Sequence, residues 1–310
     1  MEHLQTPIRN KNISNRIVML PPSPSLKQLG HGTGITVYKM ERIPQTDNKA
    51  SPWAIKKVAS SIASKKTEYQ QRLKYEAEIL RKLDHPNIVG YRGLVKSFDG
   101  TDCLAMEECS KCLGAMIDER FETINIPFPA ENILKVAFDI SKALLYLHET
   151  VLILHGDIKS YNILIKGDFA TCKLCDFGVS MPIDSSGNLD YTKTDPEAEY
   201  IGTTSWCPPE IFQCPSKITT KADIYAYGLV LWEMMALSPP FFNDNSASDL
   251  DTTQSSDSLS NFERPQLPPN DFDDSYTLVI ELFYCCTELD YLKRPSAKDL
   301  ILTIKNAKAI

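Results

Sequence analysis

Short runs of apolar residues, each bounded by glycine or polar residues, occupy most of the chain between residues 26 and 108. Runs of this length and composition are typical of β-strands. One stretch, Thr67–Leu83, is rich in Glu, Lys, Arg and Leu and predicts a helix, which ends before His85-Pro86 because a residue preceding proline avoids helical backbone angles. The strands are predicted at Leu26–Gly30, Ile35–Met40, Trp53–Val58, Ile88–Val95 and Cys103–Met106.

The pattern changes after residue 110, where longer apolar periodicities with near-helical spacing predominate. This second part of the chain is therefore predicted to be mostly helical, with short strands at Ile163–Ile165 and Lys173–Cys175. The helices are predicted at Glu131–His148, Lys221–Leu237, Tyr276–Thr287 and Ser296–Lys308.

Two polar segments interrupt these patterns. Residues 1–25 end in Pro21-Pro22-Ser23-Pro24 and predict a flexible tail. Residues 243–262 are rich in Ser, Asp, Asn and Thr and predict a disordered insert. The aspartates of the insert leave open whether it is a tolerated loop or docks a basic partner.

The composition is that of a folded protein, with 43% hydrophobic and 24% charged residues. No apolar run is long enough to span a bilayer, and the first residues do not resemble a secretion signal, so no membrane association is expected. Lys and Arg total 33 against 40 Asp and Glu, which argues against nucleic acid as the main partner.

Nine cysteines in a chain without a secretion signal predict free thiols in a reducing compartment. Cys109/Cys112 and Cys172/Cys175 have the spacing of zinc ligands, but residues 113–171 separate the pairs, many more than in a compact zinc ribbon. Buried thiols are therefore favoured over a zinc site.

A glycine-rich segment, residues 30–34, lies between two predicted strands, which suits a hairpin over phosphate groups better than a dinucleotide-binding turn before a helix. Ala54 and Lys56 share one face of the next strand, so that a purine could lie beside Ala54 while the ammonium reaches phosphate. Glu76 on the predicted helix could pair with Lys56. Taken alone, Lys56 is better explained as a solvated strand lysine.

Further motifs follow in a fixed order: His155-Gly156-Asp157-Ile158-Lys159-Ser160-Tyr161-Asn162, Asp176-Phe177-Gly178, Gly202-Thr203 and Pro208-Pro209-Glu210. Together with the glycine-rich segment, Lys56 and Glu76, these motifs form an ordered set that would not arise by chance at these spacings. From about Leu26 to Lys305 the sequence resembles the eukaryotic protein kinases, and among them a family related to the MAP kinase kinases.

The resemblance implies an α+β, bilobal kinase fold that binds ATP in the cleft. The N-lobe, an antiparallel sheet with one helix, would span residues 26–108, and the mostly helical C-lobe residues 109–310. The expected reaction is transfer of the ATP γ-phosphate to Ser or Thr of protein substrates, with Tyr left open. A pseudokinase scaffold that binds partners without catalysis is the alternative.

The resemblance also assigns roles to residues. Lys56, paired with Glu76, would hold the α- and β-phosphates, and Asn162 and Asp176 would bind Mg²⁺. Asp157 would orient the attacking hydroxyl and accept its proton, Lys159 would neutralise the γ-phosphate, and Thr203 would bridge Asp157 and Lys159. The remaining nucleotide contacts would come from Leu29, Gly30, Gly32, Gly34, Val37, Ala54, Met106, Glu107, Cys109 and Leu164. Structural roles would fall to Asp223, on the catalytic-loop backbone, and to a pair formed by Glu210 and Arg294.

Two positions depart from the family pattern. The third loop glycine, Gly34, comes one residue early, with Ile35 in the usual place, and Gly156 stands where an arginine is common. A phosphate on the following loop would lack that arginine as a partner.

The resemblance and the terminal sequences also suggest partners. MAP kinases are candidate substrates, and Thr6-Pro7-Ile8-Arg9 fits a cyclin-dependent kinase site, which points to mitosis. The end, Lys308-Ala309-Ile310, lacks the Ser or Thr of a common PDZ ligand, so a PDZ partner is not expected. Localisation is expected to be cytoplasmic and nuclear.

Overall fold

The computed structural model describes residues 27–32, 34–41, 52–59, 66–97, 99–195, 199–213, 217–241 and 264–307. The chain divides into two compact units, Met1–Lys82 with Gly90–Glu108, and Leu83–Val89 with Cys109–Ile310. We predicted Leu83–Val89 as part of the first lobe, but this segment belongs to the second unit. Its hydrogen bonds are the reason: Val89 N donates to Leu174 O, and Leu174 N donates to Asn87 O, both at 2.9 Å.

The first unit contains a five-stranded antiparallel sheet in the order β1-β2-β3-β5-β4 and one helix. The strands were predicted from the apolar runs and the helix from a stretch rich in Glu, Lys, Arg and Leu. The helix has an acidic residue in its first turn and two basic residues in its last, which suits the helix dipole. The elements are β1 Lys27–Gly32, β2 Ile35–Met40, β3 Trp53–Val58, α1 Lys66–Lys82, β4 Tyr91–Lys96 and β5 Asp102–Glu107.

Alternation along the strands divides the residues of this sheet between two faces. One face buries an apolar cluster of Met40, Ile55, Val95, Cys103 and Ala105, with Trp53 packed against it. Met40 lies opposite Trp53, Ile55 opposite Ala105, and Val95 opposite Cys103, so the cluster extends across four strands. Lys56, next to Ile55 in β3, therefore lies on the opposite face.

The second unit is mostly helical, as predicted, and carries two small antiparallel sheets in the order β6-β8-β9 and β10-β7. A π-helical turn, Tyr146–Val151, follows α3 directly. The helices are α2 Leu113–Thr123, α3 Ala130–Leu145, α4 Pro209–Gln213, α5 Lys221–Ala236, α6 Thr277–Cys286 and α7 Ala297–Ala307, and the strands are β6 Lys111–Cys112, β7 Ile153–Leu154, β8 Ile163–Lys166, β9 Thr171–Leu174 and β10 Met181–Pro182.

Helix α5 lies at the centre of the second unit. Fourteen of its 16 residues are buried, so it lacks the polar face of a surface helix. Two carboxylates, Asp223 near its start and Glu233 near its end, are buried with it. They lie ten residues apart, about 15 Å along a helix, and both accept hydrogen bonds from the loops that carry the predicted catalytic residues.

Several predictions fall on residues outside the described ranges: the tail 1–25 with Thr6, Leu26 at the start of the first predicted strand, the insert 243–262, and Lys308-Ala309-Ile310. Among the helices that the structure describes, none combines the length and the apolar character needed to cross a membrane.

Candidate active site

The register of the sheet places four predicted nucleotide contacts on one face of the first unit. Val37 lies opposite Lys56, and Ala54 lies opposite Met106. Since Ala54 and Lys56 are two residues apart in β3, all four side chains share the face that the apolar cluster does not use. Ala54 and Met106 are buried. The expectation that a small residue lies beside the lysine on one face therefore agrees with the register.

Lys56 forms a buried ion pair within the first unit. Its Nζ lies 2.8 Å from Oε2 of Glu76 on α1, and the two residues are 7% and 2% exposed. This low exposure contradicts the alternative of a solvated strand lysine. A buried lysine held by a carboxylate has a fixed position, which suits a cation that must meet phosphate oxygens.

The glycine-rich segment forms the end of β1 and the turn into β2. Gly30 and Gly32 pair with Val37 and Ile35, and the register shifts between Gln28 and Gly30, around Leu29. Gly34 has φ +75°, in the left-handed region that favours glycine. Its early position therefore meets the needs of the turn, and its carbonyl accepts a hydrogen bond from Ala59 N at 2.9 Å.

Met106 and Glu107 end β5 in the first unit, while Cys109 and Leu164 belong to the second. The Glu107 N–H donates to Gly90 O at 2.7 Å, and Gly90 N donates to the Glu107 carboxylate at 3.2 Å. Since this N–H is engaged, the Glu107 carbonyl is the backbone group that would read an adenine amino group.

Asp157 in the second unit has partners on both carboxylate oxygens. Oδ1 accepts from Thr203 N at 3.0 Å and from Thr203 Oγ1 at 2.7 Å. Oδ2 lies 2.9 Å from Lys159 Nζ and accepts from Asn162 Nδ2 at 2.9 Å. Lys159 Nζ also donates to Thr203 Oγ1 at 2.7 Å. The structure thus brings together Asp157, Lys159, Thr203 and Asn162. Thr203 bridges Asp157 and Lys159, as predicted.

The predicted metal ligands, Asn162 and Asp176, supply oxygen donors. The Asn162 amide nitrogen donates to Asp157 O at 2.7 Å as well as to Oδ2, which orients the amide and leaves its oxygen as the group for a cation. Asp176, in the left-handed region at φ +64°, is only half-buried. An amide and a carboxylate oxygen fit the hard-ligand preference of a magnesium ion.

The backbone before Asp157 is held by Asp223, as predicted. His155 N and Gly156 N each donate to the Asp223 carboxylate at 2.9 Å, and His148 Nε2 lies 2.8 Å from Oδ2. Burial alone would raise the pKa of Asp223, but the hydrogen bond and the charge interaction with His148 hold that pKa below its usual value. Gly156 has φ +80°, and a Cβ there would lie 3.1 Å from Val179 O, so glycine relieves strain at this position.

His155 itself is held as one tautomer. Its Nδ1 accepts from Asp157 N at 3.2 Å, so the proton lies on Nε2, which donates to Cys175 O at 3.0 Å. The ring is fully buried and contacts the edge of Phe177 at a centroid distance of 4.9 Å. The loop before Asp157 is thereby joined to the Asp176-Phe177-Gly178 segment.

Two further anchors of the catalytic loop were not predicted. Glu233 on α5 accepts from Ser160 Oγ at 2.7 Å and from Trp206 Nε1 at 2.8 Å. Tyr161 OH donates to Asp118 on α2 at 2.5 Å, and the ring lies against Gly114, where a Cβ would be 2.7 Å away. For the first anchor, the signal available in the sequence was Glu233 itself, an acidic residue in a mostly apolar helix, since such a residue needs buried partners.

Burial raises the pKa of Glu233 to about 8, against an ordinary value of 4.5. The folded protein therefore keeps a proton that the unfolded chain loses above about pH 4.5, and wild-type stability should fall from there until about pH 8, by at most about 1.4 kcal/mol per pH unit. Glu233→Gln lacks this ionisation, so its Tm should rise relative to wild type between pH 5.5 and about pH 8 and then level off.

Thermal unfolding of both proteins across this range measures the effect. Asp139→Asn is the matched control, a buried carboxylate on α3. Burial alone would raise the pKa of Asp139, but hydrogen bonds from Cys172 N, Lys135 and Lys142 hold that pKa below its usual value. Its Tm difference from wild type should be constant across the same range. A constant difference for Glu233→Gln would contradict the prediction.

The cysteine pairs do not form a joint cluster. Cys172 is fully buried, and the Cys175 thiol donates to Asn162 O at 3.3 Å. Among the described residues there is no group of three or more His, Cys, Asp or Glu able to hold a metal ion.

The protein kinase domain family matches residues 24–303, so the chain belongs to the protein kinases. The resemblance seen in the motifs and the predicted α+β, two-lobed kinase fold are thereby confirmed. The chain is an enzyme of this class, with ATP as phosphate donor, a divalent metal ion in the reaction and proteins as substrates.

The chain is similar to individual proteins over most of its own length. The human lymphokine-activated killer T-cell-originated protein kinase is 46% identical over 298 residues, 93% of this chain and 91% of the human protein. The Drosophila melanogaster serine/threonine-protein kinase Tao is 30% identical over 278 residues, 89% of this chain and 24% of that protein. Cell division control protein 7 of Schizosaccharomyces pombe is 31% identical over 255 residues, 82% of this chain and 21% of that protein.

Proposed function

We propose that this chain transfers the γ-phosphate of Mg-ATP to serine and threonine hydroxyls of protein substrates. The observation that carries the proposal is the cluster of Asp157, Lys159, Thr203 and Asn162. Contacts from Thr203 and Asn162 hold the Asp157 carboxylate beside the Lys159 ammonium group. Phosphate transfer needs such positioning and charge stabilisation more than covalent chemistry by the protein.

In this mechanism Asp157 orients the attacking hydroxyl and accepts its proton. Oδ1 of Asp157 accepts from two Thr203 donors, while Oδ2 accepts from Asn162 and lies beside Lys159. We assign proton acceptance to Oδ2, because it is the oxygen next to the cation that would meet the γ-phosphate. The Lys159 ammonium offsets negative charge that develops on the γ-phosphate. Because Thr203 contacts both side chains, it sets the distance between the proton acceptor and the cation.

The first unit carries most of the residues assigned to the nucleotide. Lys56 holds the α- and β-phosphates and is fixed by Glu76, while Val37, Ala54 and Met106 offer an apolar surface to adenine beside it. Leu29, Gly30, Gly32 and Gly34 cover the phosphates, and Glu107, Cys109 and Leu164 complete the adenine contacts. These assignments follow the family motif, residue by residue.

Asn162 and Asp176 would hold Mg²⁺ through their oxygen atoms. The ion, when bound, neutralises phosphate charge and orients the phosphates for transfer. Asp157 supports this site indirectly, because it fixes the Asn162 amide nitrogen and so turns the amide oxygen outward.

Two observations support Ser and Thr as acceptors. Lys159, two residues after Asp157, is the residue that serine/threonine-type kinases carry at this position, and several relatives are named serine/threonine-protein kinases. Tyr as an additional acceptor is an outcome for the experiment to decide.

A mitotic role and MAP kinases as substrates are further parts of the proposal. The name of the fission yeast relative refers to cell division, and Thr6-Pro7-Ile8-Arg9 fits a cyclin-dependent kinase site. The motif resemblance to a MAP kinase kinase-related family supports MAP kinase substrates. Cytoplasmic and nuclear localisation fits both roles.

The test is transfer of radiolabelled γ-phosphate from Mg-ATP to MAP kinases, casein and myelin basic protein, followed by phosphoamino acid analysis. We expect wild type to label Ser and Thr, with chelation of the metal abolishing the signal. Lys56→Arg keeps a cation for Glu76 but changes its shape, and should lower transfer about tenfold or more. Wild type that binds Mg-ATP yet transfers no phosphate to any substrate would instead indicate a pseudokinase scaffold.

A further inference from the structure

Glu233 joins two segments that the proposed mechanism needs in register. We propose that it is a positioning residue for phosphate transfer, which through Ser160 and Trp206 fixes the spacing between the loop that carries Asp157 and the segment that carries Thr203. The inference rests on the proposed function for its catalytic consequence, but the contacts themselves are independent of it.

The contacts form a closed bridge inside the second unit. Ser160 Oγ donates to one Glu233 oxygen at 2.7 Å, and Trp206 Nε1 donates to the other at 2.8 Å. Ser160, Trp206 and Glu233 are 0%, 8% and 2% exposed, so water does not compete for these groups. A buried hydrogen bond of this kind is costly to break because the freed donor stays unsatisfied.

The bridge repeats a connection that the catalytic residues already make. Ser160 directly follows Lys159, and Trp206 lies three residues after Thr203, so the same two segments are joined by the Asp157–Lys159–Thr203 contacts and again by Glu233. The first connection is made of groups that the reaction uses. The second attaches both segments to the buried helix α5, which cannot shift without disturbing the core of the unit.

A different role for Glu233 would be to bind a basic side chain of the substrate. The structure argues against direct contact, because both carboxylate oxygens are engaged and Trp206 and Ser160 cover them. Among the described residues, Asp118 on α2, Cys112 in β6 and Tyr161 in the loop interact electrostatically with Glu233, and none of these three is a cation. The two roles predict different kinetics.

The experiment compares the full chain with Glu233→Ala, Glu233→Gln, Ser160→Ala and Trp206→Phe, using Mg-ATP and myelin basic protein. Loss of the bridge should lower kcat about 10- to 100-fold in Glu233→Ala with KM changed less than about threefold. In Glu233→Gln the amide oxygen accepts from Trp206 and the amide nitrogen donates to Ser160 Oγ, which reverses this hydrogen bond without removing it, so kcat should stay within about threefold of wild type. Ser160→Ala and Trp206→Phe each remove one hydrogen bond and should show intermediate kcat losses, which keeps the test valid if Glu233→Ala does not fold.

Asp139→Asn is the matched control, since it removes a buried charge with no contact to either segment, and it should leave kcat and KM unchanged. A raised KM for the protein substrate with unchanged kcat in the Glu233 variants would overturn the proposal in favour of substrate recognition. A Glu233→Gln enzyme as impaired as Glu233→Ala would overturn it as well, since hydrogen bonding would not restore function.

Hydrogen exchange measured by mass spectrometry gives a readout independent of activity. Glu233→Ala should raise exchange in peptides covering residues 157–162 and 203–207, whereas Asp139→Asn should leave both unchanged. Unchanged exchange in Glu233→Ala would contradict the bridge even if kcat fell. If wild type transfers no phosphate, the proposed function fails while the exchange result still decides whether Glu233 couples the two segments.

Discussion

Asp157→Asn is expected to lower phosphate transfer about a thousandfold while leaving the fold intact. Asparagine has the same shape but cannot accept a proton at neutral pH. In the wild type, Thr203, Lys159 and Asn162 all donate to the Asp157 carboxylate. The asparagine amide nitrogen would place a donor against one of these donors, which weakens the cluster. Single-turnover transfer with saturating Mg-ATP, measured beside thermal unfolding, separates loss of chemistry from loss of structure.

Asp299→Asn makes the same chemical change at an exposed aspartate, whose carboxylate accepts hydrogen bonds from Ser296 at the start of α7. It should transfer phosphate at the wild-type rate. An Asp157→Asn enzyme that retained more than about a tenth of wild-type kcat would contradict the role of Asp157 as proton acceptor.

The contacts that the sequence could predict are those encoded by an ordered set of motifs. The pairing of Lys56 with Glu76, the bridge by Thr203, the contacts of Asp223 and the pair of Glu210 and Arg294 all appear in the structure. Each was implied by the resemblance to the protein kinases, which rests on residues whose types and order are restrictive, so that no knowledge of packing was needed.

What remained hidden depends on burial and on contacts between distant segments. The bond between Ser160 and Glu233 joins positions 73 residues apart. An acidic residue in an apolar helix indicates a buried partner, but nothing in the sequence identifies Ser160 as that partner. Helix α2 was missed because Leu113–Thr123 mixes polar and apolar residues without a clear stripe, and its Gly114 serves contact with Tyr161. The predicted helix Glu131–His148 ran into the π-helical turn Tyr146–Val151 without distinguishing it, because periodicity does not reveal one inserted residue.

Helix α5 gives these separate contacts a common basis. Its two buried carboxylates hold the catalytic loop from both sides, Asp223 through the backbone before Asp157 and Glu233 through Ser160 after Lys159. A polar residue inside a buried helix is costly unless it is fully hydrogen-bonded. In this unit that requirement makes the position of the loop depend on the core.

Arg294→Met should destabilise the second unit by about 3–5 kcal/mol, one of the largest losses expected from a single substitution outside the catalytic residues. Arg294 is 2% exposed and forms two hydrogen bonds with the Glu210 carboxylate, at 2.6 and 2.7 Å, so its removal leaves a buried negative charge without a partner. It also donates to the carbonyls of Glu288 and Lys221. Urea unfolding followed by fluorescence measures the loss, since Trp206 and Trp232 both lie in this unit.

Glu210→Leu combined with Arg294→Met separates the cost of the unpaired charge from that of lost packing. Since a pair of apolar residues leaves no buried charge, the double variant should recover most of the stability lost in Arg294→Met. Recovery should fall short of wild type, because the carbonyls of Glu288 and Lys221 still lack their donor. A double variant no more stable than Arg294→Met would show that the pair matters for its shape and backbone contacts and not for its charge.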